Sequence, residues 1–214
     1  MDWAKARALM VEGQVRPNKV TDQRIVDAML ALPREALLPG PRRALAYADV
    51  PVPLAEGRAL LAPMVVARLV QEARPVAGER ALALPGAAGY GAALLARLGL
   101  AVTLLETPAH AAAAAAAMRA LGVSVTHATG RLAHGVPGQE KFDLILLEGA
   151  VPAPPAGLLA QLAEGGRLLA IQAGPGTGQA IRVDRRGGSD TLTKLFDAAA
   201  PSLPDFAAQP AFAL

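Results

Sequence analysis

From Glu79 onward the chain alternates short, uninterrupted apolar runs with helix-forming runs. Arg80–Leu84, Ala101–Leu105, Val123–His127, Phe142–Leu147 and Gly166–Ile171 each read as a strand. Their apolar residues are continuous rather than alternating, which is the pattern of strands covered on both faces. Helices are expected between them: one opened by Gly89-Tyr90-Gly91 and running to Leu98, an alanine-rich one over Pro108–Leu121, and one over Pro155–Ala163. Parallel neighbours need crossovers of this length, so the reading is an α/β fold with a doubly wound, mostly parallel sheet and helices on both faces. Two more strands are expected within Gln179–Phe196, around the turn at Gly187-Gly188.

An N-terminal helical extension precedes the sheet. Trp3, Ala6 and Met10 share one side of a helix expected to end near Gly13. Thr21-Asp22 supplies an N-cap for a second helix closed by Pro33. The proline-rich stretch 33–63 reads as irregular, and Pro63 suits the first turn of a helix reaching Ala73. The whole is read as one domain: an extension over 1–75, an α/β core over 76–175, and C-terminal strands and tail over 176–214. A length of 214 residues is enough for one full core.

Apolar residues make up 53% of the chain, yet no run is long enough to span a bilayer and no signal core opens it, so a cytoplasmic protein without a membrane role is expected. The chain has no cysteine, which excludes disulfides, thiolate metal sites and thiol nucleophiles. A net charge of +3 and 3% aromatics, with the doublets Arg42-Arg43 and Arg185-Arg186 far apart, give no footprint for nucleic acid. The histidines lack metal-ligand spacing, and Ser124, Ser189 and Ser202 sit in no nucleophile elbow.

In such folds a ligand sits outside the carboxyl ends of the strands, where glycines of the first strand–helix turn let backbone approach it. That turn reads Pro85-Gly86-Ala87-Ala88-Gly89-Tyr90-Gly91. Glu106 lies about 20 residues further on, the separation at which an acid contacts ribose hydroxyls. Thr129 follows the third strand and Glu148 the fourth, both at the productive edge.

The chain resembles the protein-L-isoaspartate O-methyltransferases over nearly its first 170 residues. The matching segments are Gly13-Gln14-Val15-Arg16-Pro17, Thr21-Asp22, Leu32-Pro33-Arg34-Glu35, Ala46-Tyr47-Ala48-Asp49-Val50-Pro51-Val52-Pro53-Leu54 and Ala62-Pro63-Met64-Val65-Val66-Ala67. Gly89-Tyr90, Phe142-Asp143-Leu144-Ile145 and Gln161-Leu162-x-x-Gly165-Gly166-Arg167-Leu168 complete the set, in the family's order. The resemblance implies a sheet of the Rossmann-like methyltransferase type, S-adenosyl-L-methionine (SAM) as methyl donor, and damaged aspartyl residues of a protein or peptide as substrate. It also implies cofactor contacts at Gly86, Gly89, Tyr90, Glu106, Thr129 and Glu148, and a substrate-side role for Asp49.

Three departures from the family pattern fall on the chemistry. Pro85 and Ala87 stand where the family has glycines; proline has no N–H, and alanine adds a methyl and resists positive φ. Ala128-Thr129-Gly130 replaces Gly-Asp-Gly, leaving a hydroxyl where the family has a carboxylate. Leu61 replaces the family's serine or threonine, two residues before Pro63. Two readings follow: a working SAM-dependent carboxyl methyltransferase, or a pseudo-methyltransferase that binds a protein or another ligand.

Overall fold

The computed structural model describes residues 1–85 and 89–206. Helix α1 (Trp3–Met10) is capped by the Asp2 carboxylate, which accepts from the Lys5 amide at 3.0 Å. It does not stop near Gly13, as the sequence suggests. Instead it continues as a π turn over Val11–Val15, closed by the Arg16 amide on the Val11 carbonyl at 3.0 Å. Burial of Met10, Val11 and Val15 holds this turn in place, outweighing the roughly 1 kcal/mol that a helical glycine costs. Helix α2 (Gln23–Ala31) starts on the Asp22 side chain and ends where Leu32 turns extended ahead of Pro33.

Between Pro33 and Pro63 the backbone forms 3-10 turns (Arg34–Leu37, Gly40–Leu45, Ala55–Gly57) and a minimal antiparallel hairpin of β1 (Val52–Pro53) and β2 (Ala59–Leu60). Helix α3 (Pro63–Ala73) follows, with its proline in the first turn.

The sheet then builds up as expected. Its elements are β3 (Arg80–Leu84), α4 (Tyr90–Arg97), β4 (Ala101–Glu106), α5 (Ala111–Ala120), β5 (Thr126–Thr129), β6 (Phe142–Val151), α6 (Ala156–Leu159), β7 (Leu162–Gln172), β8 (Gln179–Arg186) and β9 (Ser189–Asp197). The seven strands lie in the order β5-β4-β3-β6-β7-β8-β9. Strands β3 to β7 are parallel, and β8 and β9 add antiparallel at one edge. The order reverses between β3 and β6, so their carboxyl ends flank the switch-point crevice.

The residues of each central strand divide between two apolar layers. Ala81, Ala83, Leu104, Leu144 and Leu146 face a cluster shared with α2, α3, α4 and α5. Leu82, Leu84, Leu105, Ile145 and Leu147 face a second cluster closed by Leu132, Leu158, Leu162 and Leu203. Helical cover on that second face is thinner than the sequence suggests. The helix expected over 155–163 is the single turn α6, and β7 begins at Leu162, four residues before the expected Gly166. The register between β6 and β7 shifts here. Gly166 is packed so that a Cβ would lie 2.9 Å from the carbonyls of both Ala163 and Phe142, while Gly165 takes φ +77°. Both positions therefore require glycine, and the Gln161 carbonyl accepts from the Phe142 amide at 2.9 Å at the point where β7 begins. The third strand forms later than expected, at Thr126–Thr129, because the Val123 amide is spent on the Met118 carbonyl at 3.1 Å.

One buried side chain ties the base of the sheet to the extension. Arg167 grips Glu79 through both terminal nitrogens (2.6 and 2.7 Å) and donates to the carbonyls of Ala73 (2.6 Å), Arg74 (3.0 Å) and Asp143 (3.0 Å). It thereby caps the carbonyl end of α3, where a cation is favoured. The tail's Phe196 packs on α3, with the Arg68 guanidinium 3.7 Å from its ring centroid, and Phe206 packs against the second apolar cluster. Phe212 lies outside the described residues.

Candidate cofactor site

Register alone gathers the acidic candidates at one edge. Glu106 ends β4 directly opposite Thr129, the last residue of β5. Leu84, the last residue of β3, pairs with Leu147, so Glu148 lies one step beyond it. The sequence places Glu148 just past its strand. In the structure β6 runs on to Val151, and Glu148 sits where its register with β7 shifts between Leu146 and Ala150. Such irregularities re-aim side chains at strand ends.

Glu148 is buried, at 3% exposure, and packs hard against the start of α4: a Cβ on Gly91 would lie 2.9 Å from its carboxyl carbon. Only glycine allows that approach. Loss of solvent raises its pKa to about 7, against the backbone amides of Gly91 and Ala92 and the charge of Arg34, which pull it down. Arg34 is completely buried. Its Nε donates to the Ala46 carbonyl at 2.7 Å, one terminal nitrogen donates to the Leu61 carbonyl, and the guanidinium lies 4.9 Å from the Tyr90 ring centroid. Burial lowers its pKa to about 10. Tyr90, also fully buried, has its pKa raised by the same loss of solvent. Among the described residues, Glu148 Oε1, Arg34 Nη1 and the Tyr90 hydroxyl have no hydrogen-bond partner. Buried polar atoms left in this way call for a ligand or an ordered water.

Glu106 stands differently. Its Oε1 accepts from the Thr107 amide at 2.7 Å, and its Oε2 accepts from Arg58 Nη1 at 2.8 Å. The same nitrogen donates to the Pro85 carbonyl at 3.1 Å. Side-chain exposure of the pair is 4% and 2%, so the ion pair is out of water. Arg58 arrives from the β1–β2 hairpin, whose turn contains Glu56 at φ +56° and Gly57 at φ +72°. A second contact, His110 Nε2 to Glu56 Oε2 at 3.1 Å, fastens the same turn to the start of α5, and Thr107 Oγ1 lies 2.9 Å from His110 Nδ1. Beside these pairs a groove of about 530 Å³ is lined by Leu37, Leu54, Arg58, His110, Ala113 and Ala117, among others.

The remaining candidates are placed as follows. Gly89 caps α4 with φ +78°, and a Cβ there would press on Met118 and Leu104 at 3.2–3.3 Å. Both the conformation and the packing demand glycine. Gly86, and with it Ala87, lies outside the described residues. Thr129 is exposed, and the next amide, Gly130, donates to the Glu106 carbonyl at 2.9 Å. Asp49 is exposed in a bend and forms no hydrogen bond or ion pair among the described residues. Leu61 is buried and offers only its backbone carbonyl, to Arg34. Tyr47 belongs to a structural network: its hydroxyl donates to Glu35 and accepts from Arg7 Nε at 3.1 Å. Among the described residues no cluster of His, Asp and Glu could hold a metal ion.

Sequence reasoning missed Arg58 and Arg34. For Arg58 a signal existed: a lone cation opening the otherwise apolar run Ala59-Leu60-Leu61-Ala62 needs a partner or solvent. Its partner, 48 residues away, carried no mark.

Comparison with known proteins identifies the chain's relatives. The family model described as protein-L-isoaspartate(D-aspartate) O-methyltransferase matches residues 5–198. A protein-L-isoaspartate O-methyltransferase of Methylorubrum extorquens is 40% identical over 190 residues, covering 87% of this chain and 82% of that one. One from Roseiflexus castenholzii is 36% identical, covering 90% and 88%. Among solved structures, a protein-L-isoaspartate O-methyltransferase superposes with TM-score 0.78 at 21% identity; the match spans 93% of this chain and 65% of that one. A Plasmodium falciparum structure described as a putative member, in complex with S-adenosyl-L-homocysteine, gives TM-score 0.78 at 18% identity, covering 94% and 98%. This chain belongs to the protein-L-isoaspartate(D-aspartate) O-methyltransferase family.

Proposed function

We propose that the chain is a SAM-dependent carboxyl methyltransferase acting on isoaspartyl residues of damaged proteins or peptides in the cytoplasm. One observation carries the reading. The incompletely paired, buried polar groups Glu148 Oε1, Arg34 Nη1 and Tyr90 OH lie together around the start of α4, beside the turn that follows β3. A non-binding scaffold gains nothing from leaving them so, since each costs about 1–3 kcal/mol unsatisfied. The donor set also fits SAM: carboxylates for an ammonium and a ribose diol, and a guanidinium for a carboxylate.

When bound, SAM supplies an electrophilic methyl group. The chain's own residues then have three tasks. Glu106 accepts from the ribose hydroxyls, with Thr129 beside it on β5. Glu148, held by the start of α4 and by the charge of Arg34, faces the amino-acid end. Asp49, exposed on the extension, orients the peptide so that its isoaspartyl carboxylate attacks in line. A carboxylate is already a nucleophile, so no general base is required, and positioning and exclusion of water provide the rate.

A second reading, a pseudo-methyltransferase that binds a protein or another ligand, is favoured by Leu61, whose buried side chain offers no hydroxyl to a substrate carboxylate. Incubation with methyl-labelled SAM and a matched pair of isoaspartyl and aspartyl peptides separates the two. Base-labile label on the isoaspartyl peptide alone supports the enzyme. Saturable SAM binding without transfer supports the second reading.

A further inference from the structure

The Arg58–Glu106 pair raises a question that the proposed function does not answer. A diol bound by Glu106 needs access to both carboxylate oxygens. Each can accept a second hydrogen bond, but the Glu106 side chain is only 2% exposed and Arg58 lies 2.8 Å from Oε2, while the Thr107 amide donates to Oε1. The Thr107 contact lies along the backbone and stays with the strand end. The Arg58 contact comes from a separate element and is held by the Pro85 carbonyl at the mouth of the first strand–helix turn.

We infer that Arg58 is the residue that sets nucleoside affinity in this chain: its guanidinium stands in the place of the ribose diol on Glu106, and a nucleoside binds by displacing it. This rests on the reading that Glu106 receives the cofactor's ribose. Three features support displacement over permanent structure. Arg58 sits at the foot of a hairpin with only two paired residues per strand, whose turn includes a non-glycine residue at positive φ. Val52, Ala59 and Leu60 anchor its strands in the core, so release concerns the exposed turn and the Arg58 side chain, not the strands. The groove of about 530 Å³ that Arg58 lines offers the side chain volume to occupy once released. Arg58 meets Glu106 through Nη1 alone and not as a two-pronged fork. The competitor is also selective. Only a ligand that gives Glu106 two hydroxyl donors at once repays the lost cation, which favours an intact ribose over a deoxyribose.

The experiment is calorimetric titration of S-adenosylhomocysteine, and separately of adenosine and 2′-deoxyadenosine, into the wild type, Arg58→Gln and Arg58→Lys. Arg58→Gln is expected to bind S-adenosylhomocysteine and adenosine at least ten-fold more tightly, about 1.4 kcal/mol, while Arg58→Lys, which keeps the competing charge, stays near wild type. 2′-Deoxyadenosine should gain less than adenosine. Equal or weaker binding by Arg58→Gln, with the wild type binding, overturns the inference and leaves the proposed function standing. Absence of binding by wild type and both variants removes the inference and the proposed function together. Because Arg58→Gln leaves Glu106 buried without its cation and could impair folding, the wild type supplies an independent measure. Saturating S-adenosylhomocysteine should speed hydrogen exchange at the Leu54 amide, now bonded to the Arg58 carbonyl at 2.7 Å. Slower or unchanged exchange there counts against displacement.

Discussion

Glu148→Gln should abolish a pH dependence of stability that the wild type carries. In the folded protein the carboxyl titrates at about 7 against an ordinary value of 4.5, and desolvation is the main cause. Below 4.5 it is neutral in both folded and unfolded chains and contributes no pH dependence. Between 4.5 and 7 the unfolded chain has released a proton that the folded chain still holds, so stability falls as pH rises. Above 7 the loss is complete. At 1.36 kcal/mol per pH unit, the window corresponds to about 3 kcal/mol. Arg34 remains cationic throughout, its pKa being lowered only to about 10. Glutamine keeps the size of the side chain and cannot ionise. Urea unfolding of wild type and variant at pH 5, 6, 7 and 8 isolates the effect, since other carboxylates titrate equally in both. The difference in stability, variant minus wild type, should be small at pH 5 and grow by roughly 3 kcal/mol by pH 8. A difference that stays constant, or that shrinks as pH rises, would refute the claim that Glu148 is buried without adequate compensation.

Arg167→Met should lower unfolding free energy by about 3–5 kcal/mol, because it strands the Glu79 carboxylate and three backbone carbonyls; chemical denaturation reads this directly, and a loss below 1 kcal/mol contradicts the anchoring role. Gly91→Ala forces a methyl to within 2.9 Å of the Glu148 carboxyl carbon; it should cost about 1–3 kcal/mol by overpacking and weaken S-adenosylhomocysteine binding. Equal affinity in the variant would separate Glu148 from the cofactor. Asp49→Asn should raise KM for an isoaspartyl peptide several-fold while leaving S-adenosylhomocysteine affinity within two-fold of wild type, a split visible in parallel kinetics and calorimetry.

The fold was legible because the strands announce themselves. Arg80–Leu84 and Pro63–Ala73 form as read, since a continuous apolar run this short, bounded by Gly78 and Pro85, fits a strand covered on both faces, and a proline fits a helix's first turn. Where reading and structure differ, tertiary packing outweighed a local signal. Gly13 is carried through a π turn by the burial of Val11 and Val15, and α6 stays a single turn as the Gln161 carbonyl is taken by the Phe142 amide of β6. That the candidates Glu106, Thr129 and Glu148 come to one edge was legible too, because the ends of β4, β5 and β6 lie there whatever the loops do. The electrostatics of the site were not. Arg34 and Arg58 come from the stretch 33–63, which carries no periodicity, and the pairing of Arg58 with Glu106 depends on how that stretch is laid across the sheet. Sequence patterns report which elements form and say little about which charges they bring together. Gly86 and Ala87, on which much of the departure from the family pattern turns, lie outside the described residues.

Binding of an adenosyl cofactor for carboxyl methylation by the buried polar groups around Glu106 and Glu148 is the proposal on which the rest depends. It is tested most directly by a single-turnover assay with methyl-labelled SAM and an isoaspartyl peptide in excess. Base-labile label is expected on the peptide and none on its aspartyl counterpart, with at least a ten-fold slower single turnover in Glu148→Gln. Labelling of neither peptide, or equal labelling of both, would contradict it.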